Sequence, residues 1–326
     1  MSMWRRVLSI AGLLLIAGAA LIWWRFTSDM ATAGNRVAHG STLIDTPCGA
    51  IEYQESGAGL PLLAVHGSGG GYDQGMAFAA PLAVRGIRVI AMSRFGYLRT
   101  PMPADGSAMA QADAFVCLMD ALDIPKAAVM GGSAGALSAL QMAIRHPDRT
   151  SALILLVPLG YKPPTEAASA PPMAAWVENT MMAVIGSDFL FWSALQVARG
   201  KMIETVVATP PALLETASPA EQARINAMLD NILPVSARAA GLRSDTAASK
   251  TMVAADLSRV LAPTLIISAR DDRYGTYASA AYMAGQITVA TFLGFETGGH
   301  AWVGHNDEVM DAIAGLLEST GAAGAP

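Results

Sequence analysis

Val129-Met130-Gly131-Gly132-Ser133-Ala134-Gly135-Ala136 reads as the end of a buried strand, a sharp turn and the start of a helix. The turn, Gly131-Gly132-Ser133-Ala134-Gly135, is a G-x-S-x-G pattern. Small residues on both sides of the serine let the chain turn tightly enough to lift its hydroxyl clear of a sheet. In a chain with 31 glycines the pattern alone carries little weight, and a glycine-rich turn with a surface serine competes with it. The surroundings favour the first reading. Lys126-Ala-Ala-Val-Met130 is apolar and strand-like, and Leu137, Leu140, Met142, Ala143 and Ile144 then follow a helical pattern that stops at His146-Pro147.

Outward from this turn, strand and helix patterns alternate. Pro61-Leu-Leu-Ala-Val65 is an unbroken apolar run, as in a strand buried on both faces, and leads into His66-Gly67-Ser68-Gly69-Gly70-Gly71. Ile87-Arg-Val-Ile-Ala-Met92 leads into Ser93-Arg94-Phe95-Gly96-Tyr97. A helix is expected over 108–122 and a strand within 151–158, and Ser41 to Ser56 reads as two strands around Pro47-Cys48-Gly49. The alternation predicts an α/β fold, a mostly parallel sheet with right-handed crossovers and helices on both faces. It resumes at Ala262-Pro-Thr-Leu-Ile-Ile-Ser268, with a helix over 278–286, a last strand over 289–293 and an amphipathic helix over 307–317. Between the two halves no strand is convincing. Pro163, Pro164, Pro171 and Pro172 mark a boundary, and Ser218-Pro219-Ala220-Glu221 reads as a capping box with proline at the first helical position. Met173, Trp176, Met181, Met182, Phe189, Phe191, Trp192 and Met202 make the insertion rich in large apolar side chains. We read 160–257 as a helical cap with most of these residues in its core and a few facing a pocket beneath. Residues 41–159 and 258–318 then form the α/β core, and 319–326 a tail.

The chain has 326 residues, 53% of them hydrophobic and 14% charged, which excludes a disordered protein. A net charge of −5 leaves no electrostatic footprint for nucleic acid. The two cysteines, Cys48 and Cys117, form no C-x-x-C pair. Neither a zinc site nor a disulfide framework is expected, and each reads as a small buried hydrophobe. Residues 1–26 stand apart. Arg5-Arg6 precede an uncharged run from Val7 to Trp24, and 18 helical residues span about 27 Å, close to a hydrocarbon core. Trp23-Trp24-Arg25 suits the membrane interface. A retained single-span anchor competes with a signal peptide cleaved near Ala31-Thr32-Ala33. The length of the run, and Arg25 between it and that site, favour the anchor, with 27–40 as a linker. Arg5, Arg6 and the amino terminus outweigh Arg25 and Arg36, which places the main domain outside the cytoplasm. Cleavage would make it a secreted protein.

A serine hydroxyl is a poor nucleophile at neutral pH and needs a base within reach and an acid to orient that base. Downstream of Ser133 the histidines are His146, His300 and His305. His300, in Thr297-Gly298-Gly299-His300, follows the last strand, in a loop at the carboxyl end of the sheet where sites of open α/β folds form. His305 reads as a helix-start or surface residue, and His146 ends the helix after the turn, away from that end of the sheet. A metal site from His300, His305 and Asp307 lacks any ligand spacing such as H-E-x-x-H. Asp271 and Asp272 follow the strand ending at Ser268 and are the candidate acids, which position alone barely separates. For the oxyanion of an acyl-transfer intermediate, Ala134 offers its N–H at a helix start and Ser68 its N–H in the loop after Val65. A phosphate-loop reading of Gly67 to Gly71 fails, because no G-K-[S/T] follows and no G-x-G-x-x-G opens a helix.

Together, His66-Gly67-Ser68-Gly69-Gly70-Gly71, Ser93-Arg94-Phe95-Gly96-Tyr97, Gly131-Gly132-Ser133-Ala134-Gly135, the 262–272 stretch and Gly298-Gly299-His300 resemble the α/β-hydrolase superfamily, in its lidded branch, over 41–318. The resemblance implies a triad in chain order Ser133, acid, His300. The family's acid loop usually reads Gly-x-x-Asp. Ala269 stands at the glycine here, which puts the acid at Asp272. Ser133 argues against the epoxide hydrolases and haloalkane dehalogenases of the superfamily, which use an aspartate nucleophile. Its carbon–carbon bond hydrolases share a His-Gly-Ser-Gly start like His66 to Gly69, but usually carry Asn before the serine and Trp directly after the histidine, where Gly132 and Ala301 stand here.

The expectation is a membrane-tethered serine hydrolase without a cofactor, acting on a carboxylic ester of small to medium size with an apolar portion. Alternatives are a carbon–carbon or lactone hydrolase using the same three residues, and a ligand-binding protein on the same fold.

Overall fold

A computed structural model describes residues 3–161, 183–250 and 255–323. The four boundary prolines, Met173, Trp176, Met181 and Met182 lie outside the described residues. Eight strands form one sheet in the order β1-β2-β4-β3-β5-β6-β7-β8. β1 (Thr42–Thr46) and β2 (Gly49–Ser56) form the antiparallel edge, and β2 is antiparallel to β4 (Ile87–Met92). β3 (Leu60–Val65), β4, β5 (Ala127–Gly132), β6 (Thr150–Leu156), β7 (Thr264–Ala269) and β8 (Ala290–Phe295) run parallel.

The central strands are apolar throughout because both faces are covered. Leu63, Val65, Ile90, Met92 and Val129 point to a core completed by α3 (Ala108–Ala121), α4 (Gly135–Arg145) and α10 (Thr276–Gln286). Their neighbours Leu62, Ala64, Val89, Ala91 and Met130 point to a second core beneath α2 (Tyr72–Ala83) and α11 (Asn306–Ala323). Each fully buried Leu or Ile in these layers contributes about 1.5–3 kcal/mol.

Among the described residues, the cap has α5 (Asp188–Val197), α6 (Arg199–Val206), α7 (Ala212–Thr216), α8 (Pro219–Asp230) and α9 (Ala239–Lys250) around Phe191, Trp192, Leu195, Ile225 and Leu229. The expected box opening α8 forms by one half. Ser218 Oγ accepts from Glu221 N at 3.2 Å, but the Glu221 carboxylate accepts instead from Arg224 and from Gly304 N, tying cap to core.

Two expectations are corrected. Residues 27–39, expected as a linker, continue one helix, α1 (Met3–His39). Phe26, Met30 and Ala33, one helical face at i, i+4 and i+7, pack on the cap core, and Trp192 Nε1 donates to Asp29 Oδ2 at 2.8 Å. Docking, not propensity, carries the helix past Phe26. Second, Cys48 and Cys117 are joined in a disulfide across 69 residues. The β1–β2 turn folds over α3, which brings their Cα atoms to 6.1 Å, and neither residue is buried.

Candidate active site

Ser133 sits between β5 and α4 with φ 50°, a left-handed conformation that is costly for a residue with a side chain. Tertiary bonds hold it there. Ser133 N donates to Leu156 O at 2.9 Å, and its carbonyl accepts from Ala136 N and Leu159 N. The Phe78 ring fills the space beside the turn, because a Cβ on Gly132 would lie 2.6 Å from it. A side chain at position 132 would require the Phe78 ring to move.

Asp272 lies past β7 and His300 past β8, on strands adjacent in the sheet and at the same carboxyl end as Ser133. His300 Nδ1 is 2.8 Å from Asp272 Oδ2. The same oxygen accepts from Thr276 Oγ1, and Asp272 Oδ1 accepts from Tyr274 N at 2.8 Å. Burial would raise the Asp272 carboxyl, yet these bonds and the His300 ring hold it below the usual carboxylate range. Asp271 turns the other way and accepts from Gly299 N at 2.7 Å, which fixes the loop carrying His300. Sequence reasoning missed the contributions of Thr276 and Tyr274. The Tyr274 ring meets His300 edge-on at 4.9 Å, and its hydroxyl donates to the carbonyls of Thr205 and Val206 in the cap. The two other histidines lie elsewhere. His146 Nε2 is 2.7 Å from Asp113 Oδ1, and His305 stacks on Phe295 at the start of α11.

The loop after β3 comes up against the serine, since a Cβ on Gly67 would lie 3.0 Å from Ser133 Cβ. Gly67 to Gly70 is a β-turn closed by Gly70 N to Gly67 O at 3.3 Å, with Gly69 at φ 76°. Most of its N–H groups are engaged. Gly67 N donates to Gln74 Oε1, Gly69 N to the Tyr97 hydroxyl and Gly70 N within the turn. Ser68 is exposed at the tip, and its Oγ donates to Asp245 Oδ2 at 2.8 Å. Ala134 is the N-cap of α4, where backbone donors have no intrahelical acceptor. His66 is neutral and structural. Burial and the Arg94 charge lower it to about 3, its Nδ1 meets Gly67 O at 2.7 Å and its Nε2 accepts from Arg94 N at 2.9 Å.

Behind the loop, Arg94 and Asp245 form a buried two-bond pair at 2.8 and 2.6 Å, joined by the Tyr97 hydroxyl. It links the β4 loop to α9 of the cap. Arg94 and Tyr97 belong to a stretch already singled out in the sequence, but nothing there named Asp245 as their partner.

Residues 61–303 match the family described as alpha/beta hydrolase fold. A 2-hydroxymuconate semialdehyde hydrolase of Pseudomonas sp. (strain CF600) is 39% identical over 121 residues, 36% of this chain and 43% of that protein. The chain thus spans less than half the length of that curated relative. An alpha/beta hydrolase fold protein from Nakamurella multipartita superposes with a TM-score of 0.69 at 26% identity, covering 86% of this chain and 99% of the other. A bacterial membrane phospholipase A superposes with a TM-score of 0.62 at 20% identity, a likeness of fold alone, but over 98% of this chain and 99% of that one. The chain belongs to the α/β-hydrolase fold family.

Proposed function

We propose that the protein is a serine hydrolase that cleaves a carboxylic ester of small to medium size with an apolar portion. The observation that carries this reading is the His300–Asp272 bond at 2.8 Å at the same end of the sheet as Ser133 on its left-handed turn. Asp272 engages Nδ1, so Nε2 is the nitrogen that takes the Ser133 proton as Oγ attacks the carbonyl. The N–H groups of Ala134 and Ser68 receive the oxyanion. His300 then returns the proton to the leaving alkoxide, and water activated by the same ring hydrolyses the acyl-enzyme.

A second reading, hydrolysis of a carbon–carbon bond by the same residues, is favoured by the name of the 39% identical relative. Gly132 and Ala301, at positions where that class usually carries Asn and Trp, weigh against it, and Phe78 fills the space an Asn would need. The deciding experiment compares turnover of p-nitrophenyl esters of increasing acyl length with turnover of 2-hydroxymuconate semialdehyde, on the full chain in detergent. Ser133→Ala serves as control. Esters cleaved only by the wild type support the first reading. Turnover of the semialdehyde alone supports the second, and equal ester turnover by Ser133→Ala contradicts both.

We also infer a retained anchor with the hydrolase domain outside the cytoplasm. The 7–39 segment is long and apolar enough to cross a membrane. Its carboxyl-terminal third is built into the cap, which favours retention over cleavage. The Cys48–Cys117 disulfide fits an oxidising compartment.

A further inference from the structure

Resting on the assignment of Ser68 N–H as an oxyanion donor, we propose that Arg36, at the end of the anchor helix, is a positioning residue that holds the oxyanion loop in its working geometry. Arg36 Nη1 donates to Asp73 Oδ2 at 2.5 Å, and its Nη2 donates to the carbonyls of Asn231 and Leu233 in the cap at 3.0 and 2.7 Å. Asp73 stands in the first turn of α2, directly after the loop, and also binds Arg238 at 3.1 and 2.8 Å. Arg238 is fully buried, and its Nη1 donates to Gly70 O at 2.5 Å.

The chain of contacts therefore runs from anchor helix to Arg36, Asp73, Arg238 and the carbonyl that ends the β-turn over Ser68. The other end of that turn is gripped from α2, by Gln74 Oε1 on Gly67 N at 2.9 Å. The Gln74 backbone N–H in turn donates to Asp73 Oδ1 at 2.9 Å. Both ends of the turn thus depend on the placement of Asp73. Arg36 is the member of this set that comes from outside the hydrolase core and cap. Tyr72 adds a second tie, its hydroxyl lying 3.2 Å from the carbonyls of Arg36 and Val37. Two guanidiniums on one carboxylate fix it from two directions, so loss of one lets Asp73, and Gly70 through Arg238, settle elsewhere. The Arg36 guanidinium bonds Asp73 and two cap carbonyls and none of Ser133, Asp272 or His300, so the effect is expected on the transition state, where the oxyanion is formed.

The test uses the full chain in detergent or nanodiscs with a p-nitrophenyl ester, every rate being divided by the number of sites titrated with a fluorophosphonate. Arg36→Ala is expected to lower kcat about tenfold with KM unchanged, less than the roughly 100-fold typical of losing a donor outright. Arg36→Lys, which keeps a charge for Asp73 but not the fork onto the two carbonyls, is expected to fall between, and it serves if Arg36→Ala does not fold. Added methylguanidine is expected to restore part of the Arg36→Ala rate, because the Arg36 side chain is partly open to solvent. A kcat per titrated site equal to wild type in both variants, or a change confined to KM, would overturn the proposal. Ester turnover surviving in Ser133→Ala would instead overturn the serine mechanism beneath it.

Discussion

Asp272 and Asp245 are both buried carboxylates, 5% and 9% exposed, and both are held below their ordinary range by a basic partner. Their partners differ. Asp245 faces Arg94, whose guanidinium keeps its charge, and the pair is closed off by Tyr97 and Ser68. Burial pushes the Tyr97 hydroxyl well up, so it remains a donor to that carboxylate. Asp272 faces His300, an imidazole that can take a proton and give it back. A pair whose charges never change is fit to join cap to core. A pair whose charge can change is fit to run a reaction. The fold uses a buried acid and base twice, and the two pairs differ in whether the basic partner can give up its proton.

Asp272→Asn is expected to cut kcat on esters about 10⁴-fold, because the amide no longer holds the ring in the useful tautomer or stabilises its protonated form. Thermal unfolding should move far less than activity. A fall of tenfold or less would mean that Asp272 is structural like Asp245. At the scaffold side the order reverses. Asp245→Ala leaves the Arg94 guanidinium, 3% exposed, without its carboxylate, and is expected to cost about 3–5 kcal/mol of stability in urea unfolding. If the main effect were on kcat of still-folded protein, the assignment of roles would be reversed. The disulfide belongs to neither pair. Cys48→Ser with Cys117→Ser is expected to cost about 2–4 kcal/mol, through the freed 69-residue span, with kcat unchanged. The same urea curves, with and without reductant on the wild type, check it.

Acid separates the two carboxylates least. Asp73, Asp245 and Asp272 all have lowered folded-state values, so each favours folding fully above the ordinary carboxylate range and loses that effect as pH falls through its depressed value. Stability should be flat from neutrality to about pH 4 and fall below it. A steady decline beginning near pH 6 would show that these carboxylates are not held down.

The sheet and its loops were legible because their signals are local. An unbroken apolar strand, a G-x-S-x-G turn and a His-Gly-Ser-Gly loop can each be read within ten residues, and the structure puts Ser133, Asp272 and His300 at one end of the sheet. Choosing Asp272 over Asp271 rested on Ala269 standing where the family's acid loop has glycine, and the bond to His300 falls on Asp272. What stayed hidden depends on distant partners. Phe26, Met30 and Ala33 share a helical face, a signal that could have extended the helix past Phe26, but only the cap shows what that face meets. Arg36 was weighed as a topology charge and is an ion-pair partner of Asp73, 37 residues on. Cys48 and Cys117 lie 69 residues apart, and no spacing rule joins them until the hairpin folds across α3.

In the proposed mechanism Ser133 is an activated nucleophile. Incubating the full chain in detergent with a fluorophosphonate, then mapping the adduct by peptide mass spectrometry, tests it directly. One phosphonyl group on Ser133 is expected, with labelling lost in Ser133→Ala and strongly slowed in Asp272→Asn. A folded wild-type protein that takes no label, or takes it on another residue, would contradict it.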